Sequence, residues 1–430
     1  MTRNQNSRQA MCSSQNHPHS PFRASRLAAV LFSVAATSAQ AADLGNGFET
    51  TGYLRGGVFS SAAGMPRGGY TLGGDFQKYR LGNEGDNGIE VEVRKTFDAG
   101  NGMKWSVDYM PTVWNGTNYT QQAYAEMTGL DFAPAAKFWA GQRRLRIQDV
   151  HINDHFFMDY GINFGAGMTD YSLGFAKLGL GVFNGGSEDN HNSTANNARR
   201  INVDLSDIKI NEGGVLRVLG TVVSGNFQYA TPGSALSVSH NQSDFIIKGL
   251  TNTLFLQGST GHAGIDGRFQ GLGDGIAATI ADVAATQQPG LQSSRIGESI
   301  NWQSGDFGGQ AVVVLQNGKQ QGGLTGDGIN TKDFSIGGRI SYALTNNFKL
   351  LAEAGNTSRQ IDGQTRQTLN KITFAPTLAL ARDFWSRPEL RFYVTRASWN
   401  DAAATANAGS FGAGGKTSAT TAGVQIETWW

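Results

Sequence analysis

Segment after segment of this chain alternates apolar and polar side chains with a period of two, and no stretch sustains the 3.6-residue period of an amphipathic helix. In DFSIGGRISYAL, Phe334, Ile336, Ile340, Tyr342 and Leu344 share one face while Asp333, Ser335, Arg339 and Ser341 share the other. INVDLSD sets Ile201, Val203 and Leu205 against Asn202, Asp204 and Ser206. ITFAPTLALA sets Ile372, Phe374, Leu378 and Leu380 against Thr373, Thr377 and small alanines. Connections rich in Gly, Asn and Asp separate these strands: Phe183–Asn197, NEGG at Asn211–Gly214, LTNN at Leu344–Asn347, and a long stretch from Gly261.

A soluble sandwich also alternates, but around large core residues and in a much shorter chain. The N-terminus narrows the choice. Arg23 and Arg26 precede the apolar run Leu27–Ala36, and Ala39-Gln40-Ala41 supplies the small residues a signal peptidase reads, so residues 1–41 are expected to be a signal peptide cleaved after Ala41. Residues 42–430 would then form the mature domain. The run is too short to span a membrane as a helix. The only cysteine, Cys12, leaves with the signal, so disulfide and thiol chemistry are excluded from the mature chain.

Four arginines and no acid leave with residues 1–41, so 31 basic residues remain against 34 acidic ones, a formal charge of −3 that gives no sign of nucleic-acid binding. The 58 glycines follow no G-X-Y period, and aromatics spread along the chain, which excludes collagen and disorder. An exported, cysteine-free chain of many strands of about ten residues with uneven loops fits an all-β transmembrane antiparallel barrel of the outer membrane. In lipid every backbone group must be paired, and a closed sheet achieves that.

Two places stand out against this pattern. In the terminal TTAGVQIETWW, Trp429 has the parity of Gln425 and Glu427, and in FETTGYLRGGVF Tyr53 has the parity of Glu49, Thr51 and Arg55. Both aromatics are therefore expected among polar lumen groups. In FWSRPELRFYVT, Trp385 has the parity of Glu389, Arg391 and Tyr393, although Pro388 can shift that register. The second place is Trp139–Gly161, which crowds Arg143, Arg144, Arg146, Asp149, His151, Asp154, His155, Asp159 and Tyr160 between apolar anchors. Such a stretch could be a catalytic loop, a metal site or the inward-folded constriction of a pore. His151 and His155 are four apart, but no helix aligns them, and Asp149 and Asp154 can pair with arginines instead. The motifs G-x-S-x-G, H-E-x-x-H and the P-loop are absent, so no enzyme and no cofactor is expected.

GYLRGG, KYRLGNE (Lys78–Glu84), FWAGQRR followed by DVHINDHFF, NEGG, WSRPELRFY and the terminal IETWW occur in order from Tyr53 to Trp430. Together they resemble the maltoporin family of sugar-specific outer-membrane porins, which includes the sucrose porins. The resemblance implies an 18-stranded barrel, three copies per assembly, an outer loop folded inward as a constriction, and passive diffusion of maltodextrins or other oligosaccharides. It implies an aromatic strip at Tyr53, Trp385 and Trp429, with Trp114 matching a tryptophan that a neighbouring subunit contributes. Polar tracks fall on Arg55, Arg80, Glu90, Asp149 and Asp154, with His151 in the constriction.

The sequence departs from the family at Gly88 and Phe156, each in place of a tyrosine, at Gln121 and Ile147, each in place of an arginine, and at Leu250 in place of a phenylalanine. The constriction is therefore expected to be more apolar than the family's. Expected partners are an oligosaccharide, outer-membrane lipid, two further copies of the chain and a periplasmic sugar-binding protein. The alternative functions are a general or non-sugar solute porin and a surface-receptor barrel.

Overall fold

The computed structural model describes residues 41–61, 69–74, 76, 78–184, 196–227, 232–270, 292–321, 328–412 and 414–430, and these belong to one compact unit, Ser33–Trp430. The expected signal segment lies outside the described residues except for Ala41. Most of the two long connections after Phe183 and Gly261 lies outside them too.

A short strand β1 (Ala42–Gly45) leads into β2 (Phe48–Ser61), β3 (Gly88–Asp98), β4 (Lys104–Trp114), β5 (Thr117–Leu130), β6 (Ala133–Val150) and β7 (His155–Ser172). There follow β8 (Lys177–Asn184), β9 (Asn196–Asn211), β10 (Gly214–Phe227), β11 (Gly233–Gln242), β12 (Leu250–Thr260) and β13 (Gln292–Ser304). The last six are β14 (Phe307–Gln321), β15 (Gly328–Ala343), β16 (Phe348–Ile361), β17 (Gln367–Ala379), β18 (Glu389–Trp399) and β19 (Ser418–Trp429). Each of β2–β19 pairs antiparallel with its neighbour in sequence, and β19 pairs with β2, so 18 strands close into a barrel. Closure sets Trp429 opposite Tyr53 and Glu427 opposite Arg55.

The alternation resolves inside out. On β15, Ile336 and Ile340 are 47% and 44% exposed on the outer wall, whereas Ser335 and Arg339 are buried in the lumen. An apolar exterior around a polar, filled interior is what the bilayer demands of a barrel. Connections near the chain termini are short, such as residues 131–132, 212–213 and 305–306; those at the opposite end include residues 62–87, 261–291 and 400–417. Short turns mark the periplasmic end and long loops the external end.

Three inward segments pack inside the barrel wall. Residues 69–74, 76 and 78–87, which come after β2, run inside β15–β19. Tyr79 bonds Ser335 at 3.0 Å, the Leu81 amide donates to Glu353 at 2.9 Å, Lys371 donates to the Leu81 carbonyl at 2.6 Å, and Tyr70 meets Thr421 at 3.0 Å. Gly337 and Gly355 make room for the Tyr79 ring, because a Cβ at either would collide with it.

The β6–β7 hairpin bends across the lumen. The Ile152 amide donates to Gln310 on β14 at 3.1 Å, and the Phe157 ring stacks on Phe255 of β12 at 4.3 Å. Val150, Ile152 and Phe157 are fully buried there, each worth roughly 1.5–3 kcal/mol. Residues 262–270 form the third segment, with the Asp159 amide donating to Asp266 O at 2.8 Å and Asn202 to Gly267 O at 3.0 Å.

Candidate functional site

Among the described residues, the inward segments leave an open space on the β2–β6 side. It is a cavity of about 490 Å³ bounded by those strands, the hairpin tip, Trp385 and Trp429. Six aromatic rings line it: Tyr53, Trp114, Tyr119, Phe156, Trp385 and Trp429. Four guanidinium groups (Arg55, Arg80, Arg144, Arg146) share it with four carboxylates (Asp86, Glu90, Asp149, Asp154) and His151.

The rings are held by their neighbours. Trp114 lies 6.2 Å from Tyr53 with planes 29° apart, Arg55 sits 5.0 Å over the Trp114 ring, and its indole nitrogen donates to Glu90 at 3.3 Å. Gly88 is what admits this indole, since a Cβ at that position would fall inside it. The space of the absent tyrosine side chain is thus taken by a ring from the same barrel. Trp114 ends β4 before the two-residue turn Asn115-Gly116, whose φ angles of 51° and 84° suit a tight hairpin. A turn so short keeps Trp114 in its own lumen.

At the periplasmic end Arg387 covers the Trp429 ring at 4.2 Å, and the His151 ring meets Trp385 and Trp429 edgewise at 5.5 and 5.6 Å. Trp385 belongs to the connection between β17 and β18 rather than to a strand, so its strand parity does not apply; it nonetheless faces the cavity.

Most of the ions are fixed in one network. Arg55 pairs with Glu84 and Asp86 at 2.6 and 2.7 Å, and Arg80 with Glu84 and Glu427 at 3.0 and 2.8 Å. Tyr53 donates to Glu427 at 2.8 Å and accepts from Arg80 at 2.7 Å. Burial alone would raise the Asp154 carboxyl, but Arg80, Lys78 and Arg55 outweigh it and hold that group well below the usual carboxylate range. Burial and then the Arg80 charge keep the His151 imidazole well below its ordinary value, against the pull of Glu427. Arg144 pairs with Glu90 at 2.9 Å. Arg146 and Asp149 differ: among the described residues neither is in an ion pair, and the Arg146 guanidinium lies 4.5 Å over the Phe156 ring.

Of the twelve residues expected in the aromatic strip, the polar tracks and the constriction (His151, Phe156 and Ile147), eleven line this one cavity; Ile147 does not. It packs behind the hairpin with Leu145 against Tyr124, Trp139, Met158, Tyr160, Phe183 and Leu219. Register shifts in β6–β7 between Arg144 and Asp149 put Arg146 in the lumen instead. Arg146, one position before Ile147, therefore lines the cavity beside Phe156. Leu250 begins β12 and is not among the cavity residues. His151 and His155 do not converge, because His155 packs against Phe76 and Phe157. Sequence reasoning missed Asp86, Tyr119, Arg144 and Arg146 as lining groups. A bulge at Gln121 gives Tyr119 and Gln121 their inward parity, out of phase with Gln122 and Tyr124 below.

A family model described as LamB porin matches residues 48–430. The chain belongs to the LamB porin family. As a LamB porin it is a passive channel of the Gram-negative outer membrane and not an enzyme. Among solved structures this LamB porin is similar to OccK5 (OpdH) of Pseudomonas aeruginosa, with 11% identity over 89% of this chain and 97% of that chain and a TM-score of 0.49. It is also similar to OccK8 (OprE) of the same organism (10%, 89% and 98%, 0.48) and to OmpT of Vibrio cholerae (9%, 90% and 99%, 0.44).

Proposed function

We propose that this LamB porin is a sugar-selective channel through which short oligosaccharides diffuse, working as a homotrimer after removal of residues 1–41. The observation that carries the reading is the make-up of the open cavity, six aromatic rings beside equal numbers of guanidinium and carboxylate groups. A pyranose offers C–H faces that pack on aromatic rings and an equator of hydroxyls that both donate and accept. Balanced charge favours such a neutral, bifunctional solute over an ion. Tyr53, Trp114, Trp385 and Trp429 would carry the ring faces, with Tyr119 and Phe156 beside them. Arg146 and Asp149, outside any ion pair among the described residues, would meet hydroxyls first, and Arg55, Arg80, Glu90 and Asp154 would extend the polar tracks.

Reversible, weak contacts suit transport, since a single tight site would block the pore. The cavity volume suits a short sugar, within the ~300–1,000 Å³ of small-molecule sites. The test is ion current through the full-length protein in a planar bilayer as maltodextrins or sucrose are added. Concentration-dependent block by at least one sugar is expected. Steady current at every sugar concentration would overturn sugar selectivity and leave a general solute porin.

A further inference from the structure

The outer wall carries a second hollow, of about 560 Å³, across β13–β16 at the external end of the barrel. Its floor is one cross-strand row of outward side chains: Ile296 pairs with Leu315, and Leu315 with Phe334. Two residues nearer the loops, the matching row is Ser294, Asn317 and Lys332. Arg366, from the connection between β16 and β17, lines the same hollow. The wall thus changes within one row from apolar to polar, as expected where acyl chains give way to head groups.

The two cations are exposed and unclaimed. Among the described residues neither Lys332 nor Arg366 is in an ion pair, and Asp362 of the Arg366 connection accepts instead from Asn330 at 2.6 Å. Glu298, the next outward residue of β13 away from the loops, lies on the far side of the apolar row and accepts from Asn252 at 2.6 Å. Positive charge on the loop side of an apolar floor matches a lipid with an anionic head and hydrocarbon tails. A phosphate suits it best, because Lys and Arg both make charge-assisted bonds to phosphate oxygens.

We infer that this hollow binds a phosphorylated lipid of the outer leaflet, with a head-group phosphate on Lys332 and Arg366 and an acyl chain on Ile296, Leu315 and Phe334. The site is on the wall, outside the channel, and stands whether or not the channel is sugar-selective. The full-length protein in detergent is titrated with fluorescent lipid A carrying its phosphates, with the same lipid after dephosphorylation, and with inorganic phosphate as competitor. The phosphorylated lipid is expected to bind at least tenfold more tightly than the dephosphorylated one. The double variant Lys332→Glu with Arg366→Glu is expected to lose at least tenfold in affinity for the phosphorylated lipid while keeping wild-type conductance. Equal binding of the two lipids overturns the site without recourse to any variant. So does wild-type affinity in the double variant, or displacement of the lipid by inorganic phosphate at comparable concentration, which would make it a simple anion site.

Discussion

The two sides of this lumen are written in the same residue types and do opposite things. Against β15–β19 the ions are buried and neutralise one another: Glu353 holds Lys371 at 2.8 Å and Arg339 at 2.7 Å, Lys349 holds Glu389 at 2.6 Å, and Arg391 joins Glu389 to Glu427. The inward segment after β2 is clamped to that side. Against β2–β6 the lumen stays open, Asp154 keeps about a third of its side chain exposed, and among the described residues neither Arg146 nor Asp149 is in an ion pair. Charge in the lumen therefore does not by itself mark a binding group. Ions that the inward segments cover become a clamp, and those left bare can meet a solute.

The closed side should break hardest. Glu353 accepts from both the Leu81 amide and the Lys371 ammonium, so Glu353→Gln leaves Lys371 and Arg339 without their counter-charge in a buried site. Removing one partner of a buried pair costs roughly 3–5 kcal/mol. The denaturant midpoint of the purified barrel should fall accordingly, and bilayer conductance should rise as the inward segment after β2 loses its anchor. Unchanged conductance with a lowered midpoint would mean that the segment is held by Tyr79 and the other contacts.

On the open side the effects are smaller and fall on affinity. Trp114→Ala removes a ring contacted by Tyr53, Arg55 and Glu90, and is expected to raise the sugar concentration for half-block about tenfold, or ~1.4 kcal/mol. Open-channel current should stay at or above wild type. Arg146→Gln keeps a donor but loses charge. An exposed guanidinium competes with water for its hydrogen bonds, so a loss of roughly threefold is expected from a bond worth about 0.5–1.5 kcal/mol net. Phe156→Tyr adds a hydroxyl beside Arg146 and should tighten maltodextrin block by about twofold; no change in block would count against Phe156 as a contact.

Alternation makes the barrel legible, because lipid imposes one apolar face on every strand. Parity also separates Trp429 and Tyr53 from an interfacial girdle, and both face the cavity. Parity fails where the backbone slips. The bulge at Gln121 and the shifts between Arg144 and Asp149 each reverse the facing of the residues beyond them, and no residue type announces them. Ile147, expected in the constriction, accordingly packs behind the hairpin, and Arg146 faces the cavity. The inward course of the segment after β2 is equally silent, since it depends on Gly337 and Gly355, far along the chain, leaving room for Tyr79. Trp114 shows the same dependence, through Gly88.

The smallest expected effect is none, and it tests the boundary between the two sides. His151 sits at that boundary, with Nδ1 3.1 Å from Arg80, Nε2 3.3 Å from Arg387 and Glu427 at 3.8 Å. A proton added there would put a third cation between two arginines in a buried place, so the folded imidazole stays neutral as the pH falls from 8 to 5. Asp154, held low by Arg80 and Lys78 in spite of burial, stays ionised over the same range. His151 and Asp154 should therefore add no pH dependence to sugar block between pH 8 and 5. Stability should vary with pH: the unfolded chain takes up a proton on His151 below about 6.5, whereas the folded chain does not, so the contribution of neutral His151 is present above that pH and declines beneath it. Asp154 works at lower pH, its contribution being full above about 3.9 and lost as the pH falls through its depressed folded value. An inflection in sugar block near pH 6.5 that His151→Gln abolishes would show that His151 titrates in the folded channel, and that the boundary is wetter than its two arginine contacts imply.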